Sequence, residues 1–474
     1  MTRLTRTALG ALPAAIGRPA PADPDNRIGI VHFGPGAFHR AHQAAYIDRL
    51  LAADPRWGIA AVALRSRATI DALASQDGLY TLAIRDSEPA MRVIGAHRRF
   101  LGPGDEAAIA ALLTRPDVAL VTATVTEKGY CLSGDGHLDL AHPDIVHDLT
   151  PGAVPRSFIG WVVAGLAARR AAGIAPFRVM PCDNMADNGG KLHRALVAFA
   201  DARDRDLAAW IAGAVRVPAT MVDAITPASD AALLADVAAA TGLTDAAPVQ
   251  REAFAQWVIE DDGARDGPDL VAAGAIVTHD VGGWERAKLR ILNGAHSTLA
   301  YGGLLRGHES VAAAMADPEL GALVEALVRE DVAPVLPPVA GLDLDAYRAA
   351  VFARFRNPAI VHRLEQIAQD GSQKIPYRLL DTVIANLDRG HMPYHALRAV
   401  AAWIAFLIDR TRRAVPVIDP LATPLLRACA SGDPAHAVRG LLALDAVFPA
   451  RLREAPDVVT ALTNNVNFWL SGQA

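Results

Sequence analysis

The sequence predicts an α/β chain in which an open, mostly parallel sheet domain precedes a mainly α-helical domain. Three observations predict it. Up to about residue 280, short apolar runs alternate with helical stretches. Beyond that point nearly everything reads as helix, broken by Pro334, Pro337, Pro338, Pro358, Pro376 and Pro416. The change of rhythm follows a strand-like run at 274–279 and the pair Gly282-Gly283. The boundaries read as 1–26 for a leader, 27–280 for the sheet domain and 281–474 for the helical domain. A length of 474 residues accommodates two or three domains.

Each strand has its own signal. Residues 27–33 (RIGIVHF) are β-branched and apolar and stop at Gly34. Residues 37–53 then read as a helix with Phe38, Ala41, Ala45, Ile47 and Leu51 near its apolar side. Residues 58–64 (GIAAVAL) and 118–125 (VALVTATV) are the second and third strands, and 177–180 lies in a fourth. Helices fall between them, at 105–113 and 160–172. In the second domain a long helical pattern covers 284–305. The run 399–408 (AVAAWIAFLI) is the longest apolar stretch and is too short to span a bilayer, which takes roughly 18–20 residues. It reads as a buried helix.

Composition narrows the function. Apolar types make up 52% and charged types 20%, enough for a buried core. A net charge of -5 argues against a basic nucleic-acid binder or a polybasic membrane-surface protein. Cys131, Cys182 and Cys429 are too scattered for a disulfide framework and lack Cys-x-x-Cys spacing, so no metal site is expected and a reducing compartment is. The N-terminus, with Arg3, Arg6 and ALGALPAAIG, weakly resembles a signal peptide, but Pro13 interrupts it. It reads as a disordered or extended leader of a cytoplasmic protein.

Strand 27–33 runs into Gly34-Pro35-Gly36-Ala37-Phe38-His39, a G-x-G-x-x-H turn between strand and helix. The first glycine permits the tight turn and the second lets a pyrophosphate approach the backbone. The helix N-terminus then offers free N–H groups to the anion. As the first βα turn of an alternating domain it points to a Rossmann-type dinucleotide site, with Gly34, Gly36 and Phe38 as candidate contacts. The third glycine of the fingerprint is missing. So is the carboxylate expected after the second strand, where Arg65-Ser66-Arg67-Ala68 stands. Arg65 there suits a 2′-phosphate or a stack on adenine, which leaves NAD and NADP both open.

The most informative spacing lies at 285–296 (ERAKLRILNGAH). At roughly 100° per residue, with Lys288 at 0°, Glu285 falls at about 60°, His296 at about 80° and Asn293 at about 140°. A carboxylate, an amine, an amide and an imidazole thus share one side of a helix. That set suits alcohol–ketone interconversion. A base must take the hydroxyl proton, which a lysine can do if burial brings it toward neutrality. Donors must hold the developing alkoxide. Asn293 is one candidate donor and Asn184, in PCDN just past the fourth strand, is another. No tyrosine has lysine four residues on, so the short-chain class is excluded, and no cysteine cluster supports a zinc-dependent class. His39 and His42 have helical spacing but no acid cluster nearby to complete a metal site.

The blocks GPGAFHRAHQ (34–43), TVTEKGY (124–130), VMPCDN (179–184), MVDAITP (221–227), QWVIED (256–261), KLRILNGAHS (288–297) and DGSQKIP (370–376) resemble the polyol-specific long-chain dehydrogenases, the family of mannitol 2-dehydrogenase and fructuronate reductase. The resemblance implies a zinc-independent NAD(P) oxidoreductase. It implies Lys288 as general base, Asn184 and Asn293 as the oxyanion hole, His296 as substrate-orienting and Glu285 as a gate for proton exit. Asp223 and Lys374 match positions that contact sugar hydroxyls, and Thr126 and Glu127 would lie beside the nicotinamide half of the cofactor. NAD is favoured, although the acid that NAD-preferring members carry after the second strand is replaced here by Arg67 and Ala68. DGSQKIPYRLLD and Gln366 look closer to fructuronate reductases, and Arg378 would then serve the substrate carboxylate. The expectation is fructuronate reduction (D-mannonate oxidation). A neutral polyol such as mannitol, arabinitol or sorbitol is the alternative, and a non-catalytic NAD-sensing protein is a more distant one. The resemblance also favours a monomer.

Overall fold

The computed structural model describes residues 2–472. Its central sheet has five parallel strands: β1 (Ile30–Phe33), β2 (Ile59–Val62), β3 (His97–Leu101), β4 (Leu120–Ala123) and β5 (Arg178–Pro181), in the order β3-β2-β1-β4-β5. The side-chain period of two divides each strand between two cores. Val31, Phe33, Val62, Val121 and Val179 pack with residues of the helices Glu106–Leu113, Phe158–Ala171 and Asn188–Asp201. Ile30, Ile59, Leu120 and Met180 point the other way, onto the helix Gln43–Leu50. Covered on both faces, the strands need continuous apolar sequence, which is why they could be found.

The chain divides into two compact units, up to Gly282 and from Gly283 on. The first unit also holds two smaller three-stranded sheets and one two-stranded pair. One joins Val249–Glu252, Tyr80–Arg85 and Ala90–Ile94. The other joins Ile276–Thr278, Gln256–Glu260 and Thr220–Asp223, and sets Asp223 opposite Gln256.

Three expectations are corrected. The leader is ordered over residues 2–26: Thr2–Arg3 pairs with Leu243–Thr244, and Arg6–Ala11 forms a 3-10 helix. Leu4, Leu12 and Ile16 are buried against Leu79, Val93 and Leu243, so the apolar residues that looked like a signal segment are core. The helix expected over 37–53 breaks at His42 (φ -116°, ψ -92°) into Ala37–Ala41 and Gln43–Leu50. The helix expected over 284–305 is three pieces, Val281–Ala287, a π-helical segment Lys288–Asn293, and Gly294–Leu305. Two further π-helical segments lie at Leu327–Val332 and Pro376–Leu380. A π turn carries an extra residue, so the regular 100° spacing does not hold across Lys288–Asn293.

The second unit is built around Tyr394–Arg412, whose residues 399–408 are all buried, as the apolar run predicts. Among the described residues no helix is long and apolar enough to cross a membrane.

Candidate functional site

In the first unit the site begins where β1 ends. Gly34 has φ +86°, and a Cβ there would stand 2.2 Å from the Thr124 carbonyl oxygen, so only glycine fits. A Cβ on Gly36 would meet nothing nearer than the Gly34 oxygen at 3.9 Å, which leaves the turn open to a ligand. The turn is tied down by side chains. Thr124 Oγ1 donates to the Gly34 oxygen at 2.7 Å, and His32 Nε2 lies 3.0 Å from Thr124 Oγ1. His32 Nδ1 lies 2.7 Å from Thr122 Oγ1 on the same sheet face. The His32 ring stacks on His39 at 3.3 Å, and His39 Nε2 meets His97 Nε2 at 3.0 Å. Burial pushes His32 and His97 down to about 3 and His39 well below the usual imidazole range. These rings are neutral props beneath the turn. His42 Nε2 is engaged by the Gln256 carbonyl at 2.9 Å.

A cleft of about 300 Å³ opens above the turn, and Gly34, Gly36, Arg65 and Thr126 line it. The open Gly36 and the helix start that follows it fit a dinucleotide pyrophosphate. Phe38, Glu127 and Asn184 are not among its lining residues. The Phe38 ring stacks instead on His42, with centroids 5.0 Å apart. Thr126 adopts φ +64°, costly for a β-branched residue. Asp183, which sequence reasoning missed, explains how it is held. Its carboxylate accepts the N–H groups of Val125 and Thr126, each at 2.9 Å, and the Tyr130 hydroxyl at 2.8 Å. Burial raises the Asp183 pKa while these donors oppose the rise. Its signal was present, since Asp183 precedes Asn184 in the PCDN block.

Asp144 was missed as well. It lines the cleft and accepts Arg65 Nη2 at 2.7 Å. Asp144, Cys131 and His142 bring ligand-type atoms within 4.8 Å of one another. Each is engaged otherwise: His142 Nδ1 accepts the Asp144 N–H at 3.2 Å, and Asp144 holds Arg65. Burial pushes the Cys131 thiol up to about 11, away from the thiolate a metal needs.

In the second unit Lys288 opens the π-helical segment, Asn293 closes it, and His296 lies one turn into the next helix; all three are buried. Gly294 lets this helix close on Pro376–Leu380, because a Cβ would sit 2.8 Å from the Arg378 carbonyl oxygen. Arg378 Nη1 donates to Ser297 Oγ at 3.1 Å, one residue from His296. The His296 ring packs on Phe355 at 4.5 Å and meets the His362 ring edge-on at 4.9 Å. His296 Nε2 and His362 Nδ1 are buried with no hydrogen-bond partner among the described residues. Burial drives the His296 pKa well down, and His362, Arg354, Arg378 and Lys288 push the same way. Burial also lowers His362, to about 4. His362 and Arg354 escaped sequence reasoning because neither lies in a recognised block. Lys374 Nζ donates to the Gln369 carbonyl at 2.6 Å, so it braces its own loop. Glu285 lies in the helix Val281–Ala287, one turn before Lys288.

Comparisons with known proteins agree with this anatomy. Residues 28–270 match the Mannitol dehydrogenase Rossmann domain and residues 280–469 the Mannitol dehydrogenase C-terminal domain. The chain is 41% identical over 445 residues to D-mannonate oxidoreductase of Escherichia coli strain K12, covering 92% of this chain and 91% of that protein. It is 38% identical to mannitol 2-dehydrogenase of Phaeosphaeria nodorum, covering 84% and 72%. The solved structure of Pseudomonas fluorescens mannitol 2-dehydrogenase, a ternary complex with NAD and D-mannitol, is 35% identical. It superposes with a TM-score of 0.83 over 99% of this chain and 98% of that one. The chain therefore belongs to the mannitol dehydrogenase family of oxidoreductases, with a Rossmann domain followed by the family's helical C-terminal domain.

Proposed function

We propose that the chain is an NAD-dependent fructuronate reductase, interconverting the ketone of fructuronate and the secondary alcohol of mannonate. The observation that carries the substrate is the field around His296. Three of the titratable neighbours that act on this buried ring, Arg354, Arg378 and Lys288, are basic side chains, while His362 is itself kept neutral by burial. Basic groups gathered around a buried neutral ring favour an anionic ligand, and a uronate brings a carboxylate. The 41% identity to D-mannonate oxidoreductase supports the same reading.

Bound NAD would supply hydride exchange, and Gly34, Gly36, Arg65 and Thr126 would hold it, with Glu127 near its reactive half. Lys288 moves the proton: its amine takes it from the alcohol, and its ammonium returns it to the carbonyl oxygen. Asn184 and Asn293 donate to the oxygen as charge builds there. His296 orients the substrate through Nε2, which has no partner among the described residues, and Glu285 passes the lysine proton outward. Asp223 and Lys374 meet sugar hydroxyls, and Arg378 pairs with the carboxylate. The free, buried thiols of Cys131, Cys182 and Cys429 suit a reducing compartment such as the cytoplasm.

The test is a panel of fructuronate, fructose and xylulose with NADH. Fructuronate is expected to exceed fructose at least tenfold in kcat/KM, and Arg378→Gln to remove most of that advantage. The reverse order in the wild type would assign a neutral polyol, the reading favoured by the likeness to the mannitol complex.

A further inference from the structure

The cofactor cleft of the first unit contains a carboxylate that its sequence position hides. Dinucleotide folds usually place an acid just after the second strand, where it binds the adenosine ribose hydroxyls and repels a 2′-phosphate. After β2 this chain has Ala63 to Thr69 and no acid. Of the two arginines there, Arg67 is held by Asp105 and Asp71 and does not line the cleft. Arg65 does line it, at the position of the missing acid, and its guanidinium reaches Asp144. Asp144 arrives from another element, the first turn of the helix Pro143–Leu149. The His142 ring fixes its backbone, and its side chain is 19% exposed while that of Arg65 is 80% exposed.

We propose that Asp144 is the specificity-determining carboxylate of the adenosine end, replacing the strand-end acid from across the cleft. It accepts a ribose hydroxyl, occupies Arg65 and disfavours a 2′-phosphate. Without it the cleft lining would hold two arginines outside any ion pair among the described residues, Arg65 and Arg156. Two such groups on one cleft suit a dianionic phosphate. This assignment concerns the cofactor alone and stands whichever sugar is reduced.

Binding of NADH and NADPH to the full chain, followed by quenching of protein fluorescence without substrate, tests it. The wild type is expected to bind NADH at least tenfold more tightly than NADPH. Asp144→Asn, close to isosteric, is expected to shift the ratio of dissociation constants at least tenfold toward NADPH, about 1.4 kcal/mol. Adding Arg65→Gln to Asp144→Asn should cancel most of that gain, because the freed guanidinium is its source. A ratio within twofold of wild type in Asp144→Asn, with an unchanged melting temperature, overturns the proposal. So does a wild type that binds NADPH as tightly as NADH. If Asp144→Asn does not fold, competition of wild-type NADH binding by 5′-AMP and by 2′-phosphoadenosine 5′-phosphate replaces it. The 2′-phosphorylated nucleotide must then be the weaker by tenfold or more.

Discussion

The glycine turn of the first unit and the Lys288–His296 segment of the second solve opposite problems. The turn offers backbone N–H groups to an anion, and its supporting side chains are kept neutral. His32, His39 and His97 lie buried beneath it with depressed pKa values. The second segment carries Lys288 on a π turn and a buried imidazole, and other elements bring Arg354 and Arg378 toward that ring. On the proposed reading, one site meets phosphate by shape and dipole. The other concentrates charge and, by the reading above, moves a proton. A backbone site tolerates almost any side chain that leaves the turn intact, whereas a side-chain site depends on each named group.

The largest expected effect breaks the second region. Lys288→Ala should lower turnover by about 10³-fold or more, in the range of lost acid–base catalysis, while NADH binding stays within twofold. Wild-type-like turnover would show that the amine moves no proton. Next, two glycines two residues apart, one crowded and one open, sharpen the first region. Gly34→Ala must strain a positive φ and strike Thr124, so unfolding should be easier by about 2–4 kcal/mol in urea. Gly36→Ala has room in the fold and should leave the urea midpoint unchanged while weakening NADH binding tenfold or more. Equal stability losses in both would mean that Gly36 serves packing and not a ligand.

The third effect is on stability with pH. His32 and His97 titrate near 3 when folded and near 6.5 when unfolded. The unfolded chain therefore binds more protons between those values, so their contribution is complete above pH 6.5 and is lost as pH falls toward 3. At pH 5 each should have given up about 2 kcal/mol. Burial raises Asp48 and Asp183, and these act with the opposite sign at lower pH. Denaturant melts at pH 7.5 and pH 5 measure the balance. A midpoint unchanged between them would mean that the rings are not buried neutral in solution.

The central sheet was legible because strands covered on both faces must be continuously apolar: β1, β2 and β4 fall inside the runs read from the sequence, and β5 overlaps its run and ends one residue beyond it, at Pro181. The strand β3, HRRFL, was not, because only its first and last residues are buried. The leader misled for a related reason: Leu4, Leu12 and Ile16 lie in a stretch interrupted by Pro13, and only their partners Leu79, Val93 and Leu243 reveal them as core. In the site, Gly34, Gly36, Lys288, Asn293 and His296 could be picked out because local spacing carries them. Asp144, Arg354 and His362 could not, because what matters about them is what they touch; Asp183 stood beside Asn184 in PCDN, but only the N–H groups it accepts show its role.

Sequence alone determined the strand–turn–helix at Gly34, the order of the two domains and the amine–amide–imidazole set, since each follows from the local pattern of residues along the chain. Tertiary structure alone decided that the helix holding that set widens into a π turn, and that basic groups from separate helices surround His296. It also decided that residue 144 brings a carboxylate to the cleft lined by Gly34 and Arg65. Hydrogen-bonded periodicity is local and is written into neighbouring residues. Electrostatic environment is a sum over whatever folding brings near, and neighbours in sequence do not encode it.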